Sequence, residues 1–310
     1  LKSRELYDIK SGKRRKVYSP TEELQYYSSL DRNSLTPEFI GTIGEQWEQT
    51  LTDGQKDFIN EQKEFKTFLK ENQGKFTHVI YNYKTNYLVE LNNLDLVRLN
   101  VLATYAGSSG KCYDKNRNEI TKGSLSDIWD VSRCNIGQTY EKLLSVGAIK
   151  MDNKQIIVNT ELFKYGVIEK LEDRTYTRMF NDKLLGLYHN TPKKSRKQIG
   201  MLIRLLPYIN YKYNILCRNP EEYRKEEIKP LNWQEVCNIL GQDAEATHTR
   251  TKNSLMKLNI NGYYVVGQFK TGKGYHLIIN PKVYYGGNNL ADVKHLYTMF
   301  GMQVSEKDNF

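Results

Sequence analysis

One short stretch sets Thr249, Arg250, Lys252, Asn253 and Lys257 at helical spacing. Arg and Asn carry the planar groups that pair bidentately with guanine and adenine edges. A lysine further along such a helix suits phosphate oxygens. A helical wheel turns Thr247, Thr251, Leu255 and Leu258 inward and leaves Thr249, Arg250, Asn253 and Lys257 outward. The outward set is a reading face for duplex DNA.

A second set lies upstream. Ile136, Tyr140, Leu143 and Leu144 share the inner face of a helix over 133–145, which exposes Asn135, Gln138 and Lys142, with Arg133 flanking. Charge ranks the two. Residues 246–285 contain six Lys and Arg and no Asp or Glu, and residues 191–218 contain seven and again none. Residues 121–166 carry six basic and five acidic residues. Binding strength on DNA follows the number of phosphates neutralised, so the acid-free half carries the affinity. The earlier half is left with direct DNA contact or a protein interface as its role.

Other cations extend these faces. Lys270 and Lys273 flank a glycine at a hairpin tip, suited to DNA phosphates or a minor groove. Residues 267–273 match most of a phosphate-loop motif, but Gly274 stands where Ser or Thr would hold magnesium, and a strand pattern follows instead of a helix. Arg14 and Arg15 belong to a basic cluster with Lys10, Lys13 and Lys16, either a minor-groove arm or a solvated tail. Tyr81, Tyr83, Tyr87, Tyr211 and Tyr213 alternate with lysines, as stacking platforms or as ordinary core residues.

The elements that position these groups occur twice. Residues 157–166 (IVNTELFKYG) return at 278–287 (IINPKVYYGG), 121 positions later. In the first copy the spacing predicts a strand at 76–81, helices at 94–105, 124–129 and 133–145, and a hairpin of 148–150 with 155–158. The second copy predicts helices at 195–206, 232–240 and 243–258, the two later ones capped by Asn232 and Asp243, then a wing of 263–269 and 275–280. Residues 173–187 read as one further helix. Phe58, Ile59, Phe65 and Leu69 form the apolar stripe of a helix over 53–71.

At 310 residues, with net charge +10 and a pI near 9.1, the chain suits a multi-domain protein with polyanionic partners. No long apolar run or signal pattern is present, so a cytoplasmic protein with no membrane partner is expected. The opening Leu suggests a trimmed chain. Cys112, Cys134, Cys217 and Cys237 lack paired spacing and read as reduced, structural thiols. There is no HExxH, no paired metal histidines and no recombinase-like Arg/His/Tyr set. Neither catalysis nor a cofactor is expected.

The segments RLNVLATYAG (98–107) and LLPYINYKYNILCRNP (205–220), with the two Asn-x-x-aliphatic-aromatic endings, resemble DNA-binding proteins of phages and plasmids of Gram-positive bacteria. They are loosely similar to RepL-class plasmid replication proteins, of which this chain would hold two units instead of one. The resemblance spans about 76–287 and implies DNA binding in replication, maintenance or transcriptional regulation, at the nucleoid of a bacterial host.

The resulting expectation is a mainly α protein with small β wings, built of two tandem winged helix-turn-helix domains and an N-terminal helical region. Its parts are a basic arm (1–19), a helical region (20–75), a first winged helix (76–167), a linker helix (168–194), a second winged helix (195–287) and a tail (288–310). The expected partner is double-stranded DNA. A homodimer through residues 20–75 and a host replication or transcription protein are further expected partners. Two units used in one chain imply an asymmetric or directly repeated site, whereas a dimer through 20–75 implies a two-fold one.

Overall fold

The computed structural model describes residues 4–7, 14–30, 75–81, 87–165, 175–242, 244–260, 262–271, 274–286, 296–297 and 300. The chain divides into two compact units, residues 1–66 and 67–310. Among the described residues 43% are helical and 26% lie in strands, spread over several small antiparallel sheets. The fold is mixed α/β, which corrects the expectation of a mainly α protein with two tandem winged helix-turn-helix domains. No described helix is long and apolar enough to cross a membrane.

In the first unit, β1 (Arg4–Tyr7) pairs antiparallel with β2 (Arg14–Val17), and α1 (Pro20–Leu30) follows. Leu6, Val17 and Tyr26 form its small core. Residues 4–7 and 14–17 of the expected basic arm are therefore strand, because Leu6 and Val17 have an apolar partner to cover them. Glu5 faces Lys16 in register and lies 3.8 Å from it. The helix expected over 53–71 falls outside the described residues.

The second unit opens with β3 (Phe76–Tyr81), α2 (Tyr87–Glu90) and α3 (Asn93–Ala103). Then come α4 (Leu125–Ile128), α5 (Gly137–Ser145), the hairpin β4 (Ile149–Asp152) with β5 (Gln155–Val158), and β6 (Phe163–Tyr165). The chain continues through β7 (Thr175–Phe180), α6 (Asn181–Asn190), α7 (Lys197–Leu205), α8 (Trp233–Ile239) and α9 (Glu245–Met256). Two hairpins follow, β8 (Asn259–Ile260) with β9 (Tyr263–Tyr264) and β10 (Val266–Thr271) with β11 (Gly274–Ile279), before β12 (Tyr284–Tyr285).

One helix expectation fails within this unit. Residues 175–180 are strand, paired along their whole length with β3, and helix starts only at Asn181. Their sequence, TYTRMF, is rich in β-branched and aromatic residues that suit a pleated surface. Capping behaves as the sequence predicts at α8, where Asn232 accepts the Glu235 N–H and Glu235 returns the bond to the Asn232 N–H, each 2.9 Å long.

The repeated ending recurs bond for bond. Asn159 donates its backbone N–H to Ala148 and its side-chain amide to Gly147, while its Oδ1 accepts from the Glu161 N–H. Asn280 likewise donates to the carbonyls of Val265 and Tyr264, and its Oδ1 accepts from the Lys282 N–H. Each Asn ties the exit of its hairpin to the entry, then turns the chain into a short strand.

Those short strands join a four-stranded sheet in the order β12-β7-β3-β6. Each copy contributes one inner and one outer strand, so the copies share a sheet. They also share a core: Leu96, Leu99 and Leu102 of α3 and Ile199, Leu202 and Leu205 of α7 lie in one buried cluster. Where α7 meets the start of α3, a Cβ on Gly200 would sit 1.9 Å from the Asn93 carbonyl oxygen. Arg204 reinforces the crossing by donating to the carbonyls of Leu88 and Leu91 and, at 2.6 Å, to Asn93 Oδ1.

Gly200→Ala is expected to destabilise the second unit by about 1–3 kcal/mol, because the contacting atoms are backbone. Gly186→Ala in α6, where a Cβ meets nothing within 4 Å, should instead stabilise by about 0.5–1 kcal/mol. Chemical denaturation of both variants checks the contrast. His78 supplies a pH test. Burial draws its pKa down to about 4, helped by the Arg178 guanidinium. The unfolded chain binds that proton more tightly, so stability is complete above about pH 6.5 and falls as pH drops towards 4, by about 3 kcal/mol in total. His78→Gln should flatten that part of the stability–pH curve, and an unchanged slope would assign it to other groups.

Candidate nucleic-acid interface

Helix α9 is held by Thr251 and Leu255, which are buried, with Leu258 buried just beyond its end. This inner stripe leaves Thr249, Arg250, Asn253 and Lys257 exposed, as the wheel predicts. The exposed stripe does not stand alone. Gln198, near the start of α7, closes a shallow groove whose other walls are Ala246, Thr249, Arg250, Asn253, Ser254 and Lys257. No carboxylate lines that groove.

The start of α7 adds charge beside it. Lys193, Lys194 and Lys197 are exposed around the 3-10 turn Lys193–Ser195 and the first residue of α7. Lys193 is partly committed, since its Nζ lies 2.7 Å from Asp130 Oδ1. Hydrogen bonds from Lys193 and from Arg196, the latter 2.8 Å long, hold the Asp130 carboxyl down at about 2. Among the described residues, Lys194, Lys197, Arg250 and Lys257 have no ion-pair partner. The acid-free composition of 191–218 marked this region, but the individual lysines and Gln198 were not singled out from sequence.

Lys252 takes another direction. It is half-buried, with Nζ 5.6 Å above the Trp233 ring, while Trp233 Nε1 donates to Gln268 Oε1 at 3.0 Å. The side chain thus packs against α8 and β10 and does not line the groove. Lys270 is exposed near the end of β10 and pairs in register with the exposed Tyr275. Lys273 lies outside the described residues. Gly267 sits in mid-strand opposite Ile278, so the segment cannot wrap a phosphate as a loop.

In the first copy Arg133, Asn135, Gln138 and Lys142 are all exposed. Arg133 and Asn135 belong to a 3-10 turn, Arg133–Asn135, that precedes α5. Thr139 is buried beneath them, donating to Asp95 Oδ1 at 2.6 Å and accepting from the Arg98 guanidinium. Asn135 reaches a cavity that also takes in Ser132, Arg98, Lys193 and Arg196. The outer face of α5 is charge-balanced, with Lys122 Nζ 3.0 Å from Glu141 Oε1. Cys134 is exposed, contrary to the expectation of four structural thiols, whereas Cys112, Cys217 and Cys237 are buried.

Arg14 and Arg15 project from β2 in the first unit. Arg14 lies 3.9 Å from Glu5, and the Arg15 guanidinium is 6.0 Å from the Tyr26 ring centre. They decorate a hairpin, not a free arm. The stacking reading fails for Tyr81 and Tyr87, which are buried and whose hydroxyl pKa values burial pushes up. No family model, no curated protein and no solved structure matches the chain.

Proposed function

We propose that this chain binds double-stranded DNA sequence-specifically, with α9 as its main reading element and the start of α7 as its phosphate grip. The carboxylate-free groove lined by Gln198, Thr249, Arg250, Asn253 and Lys257 carries the reading. It combines two side chains suited to base edges with unpaired cations at its margin. The resemblance to phage and plasmid DNA-binding proteins adds the biological setting, replication, maintenance or transcriptional regulation of a mobile element. Catalysis and cofactors have no part in it.

A second reading, an adaptor for a host replication or transcription protein, draws on the charge-balanced face of α5. Lys122 pairs with Glu141 there, and Lys111 lies 3.3 Å from Asp152 in the neighbouring hairpin. Such a face suits a protein partner better than a phosphate backbone. For the first copy the two readings are alternatives.

Duplex selection from random DNA, repeated across salt, tests the DNA reading. A defined motif with a steep salt slope is the expected result, and flat selection would refute it. Arg250→Ala should weaken specific binding by about 1–3 kcal/mol and relax preference at one base position. Combined Lys194→Ala and Lys197→Ala should weaken all duplexes alike and make the salt slope shallower by about two phosphate contacts.

A further inference from the structure

The shared sheet contains a two-fold axis. β6 pairs Phe163 with Val79 and Lys164 with His78, while β12 pairs Tyr284 with Met179 and Tyr285 with Arg178. Phe163 and Tyr284 are the same position of the repeated ending, so Val79 corresponds to Met179 and His78 to Arg178. The central pair obeys the same rule. Thr77 faces Met179 and Val79 faces Thr177, so exchanging the copies turns each of these pairs into the other. His78 faces Arg178, its own counterpart. The axis therefore passes between His78 and Arg178.

The helices follow the same symmetry. The start of α3 meets the middle of α7 at Gly200 and Arg204. The residue leading into α7, Arg196, shares Trp129 and one cavity with Arg98 from the middle of α3. Arg196 donates to the Trp129 carbonyl at 3.2 Å, and the Arg98 guanidinium lies 5.6 Å from the Trp129 ring. This is an antiparallel crossing of equivalent helices. α5 packs on α3, and α9 packs on α7. Buried Thr139 and Leu143 of α5 match buried Thr251 and Leu255 of α9 in residue type and spacing, and we take that match as the register between the two helices. It makes exposed Gln138 the counterpart of exposed Arg250.

We infer that one chain reads an imperfect inverted repeat, with Arg250 selecting guanine in one half-site and Gln138 selecting adenine at the symmetry-related position of the other. The inference rests on the DNA-binding reading above. A two-fold operator relates base edges on one strand to those on the other in reversed order, whether the copies are separate subunits or one chain. The side-chain difference supplies the asymmetry, since Arg pairs with guanine and Gln with adenine. This replaces the direct or asymmetric site expected for two units in line.

The test is duplex selection with the full chain, in the wild type, Gln138→Arg and Gln138→Ala, with chain-to-duplex stoichiometry read by native mass spectrometry. Circular dichroism confirms that these exposed substitutions leave the fold intact. One chain on an inverted repeat is expected, with the adenine position converting to guanine in Gln138→Arg and losing preference in Gln138→Ala. The change in relative affinity at that position should be roughly tenfold. A direct repeat, a single half-site indifferent to residue 138, or two chains on each inverted repeat would overturn the inference while leaving the DNA reading standing. Absence of any motif in the wild type would overturn both.

Discussion

The second unit turns on a backbone-to-backbone approach, where Gly200 of α7 rests on Asn93. Only a residue without a Cβ permits that approach, and Arg204 then satisfies carbonyls at the end of α2 that the crossing would otherwise bury. The consequence spreads outward. With α3 and α7 locked, α5 and α9 can pack only on their outer sides, and the sheet closes over the same cluster through Val79, Phe163, Met179 and Tyr284. The crossing therefore decides where every exposed base-reading candidate points.

Much of the local structure was legible in the sequence. The apolar spacing of Leu96, Leu99 and Leu102, the capping pair Asn232 and Glu235, and the buried stripe of α9 all follow from short-range chemistry. The recurrence of IVN and IIN endings was equally plain, and Asn159 and Asn280 make matching bonds. What short-range reasoning missed is how the copies meet. Periodicity reports which face of an element is apolar, not which other element covers it. Residues 157–166 and 278–287 thus looked like the ends of independent domains, yet their short strands join one sheet.

The candidate site was legible for the same reason and to the same depth. Thr249, Arg250, Asn253 and Lys257 were found from the wheel because burial of Thr251 and Leu255 sets the opposite face. Lys252 packs away from the groove because its neighbour Trp233, nineteen positions earlier, lies on another helix. Gln198 escaped notice for a similar reason, since only the packing of α7 beside α9 gives it a place in the groove. The arm at Arg14 and Arg15 looked mobile because each of its strands is too short and too charged to signal pairing alone.

The axis between His78 and Arg178 has a thermodynamic consequence beyond geometry. Two halves that assemble as separate subunits exist as a pair only at sufficient protein concentration, and occupancy of any shared partner then scales with concentration squared. Here a peptide link supplies the pairing, so it persists at arbitrary dilution and responds to abundance to the first power. The link also releases the halves from identity. His78 opposite Arg178, and Lys164 where the other copy carries Tyr285, are substitutions that a symmetric dimer would have had to accept twice.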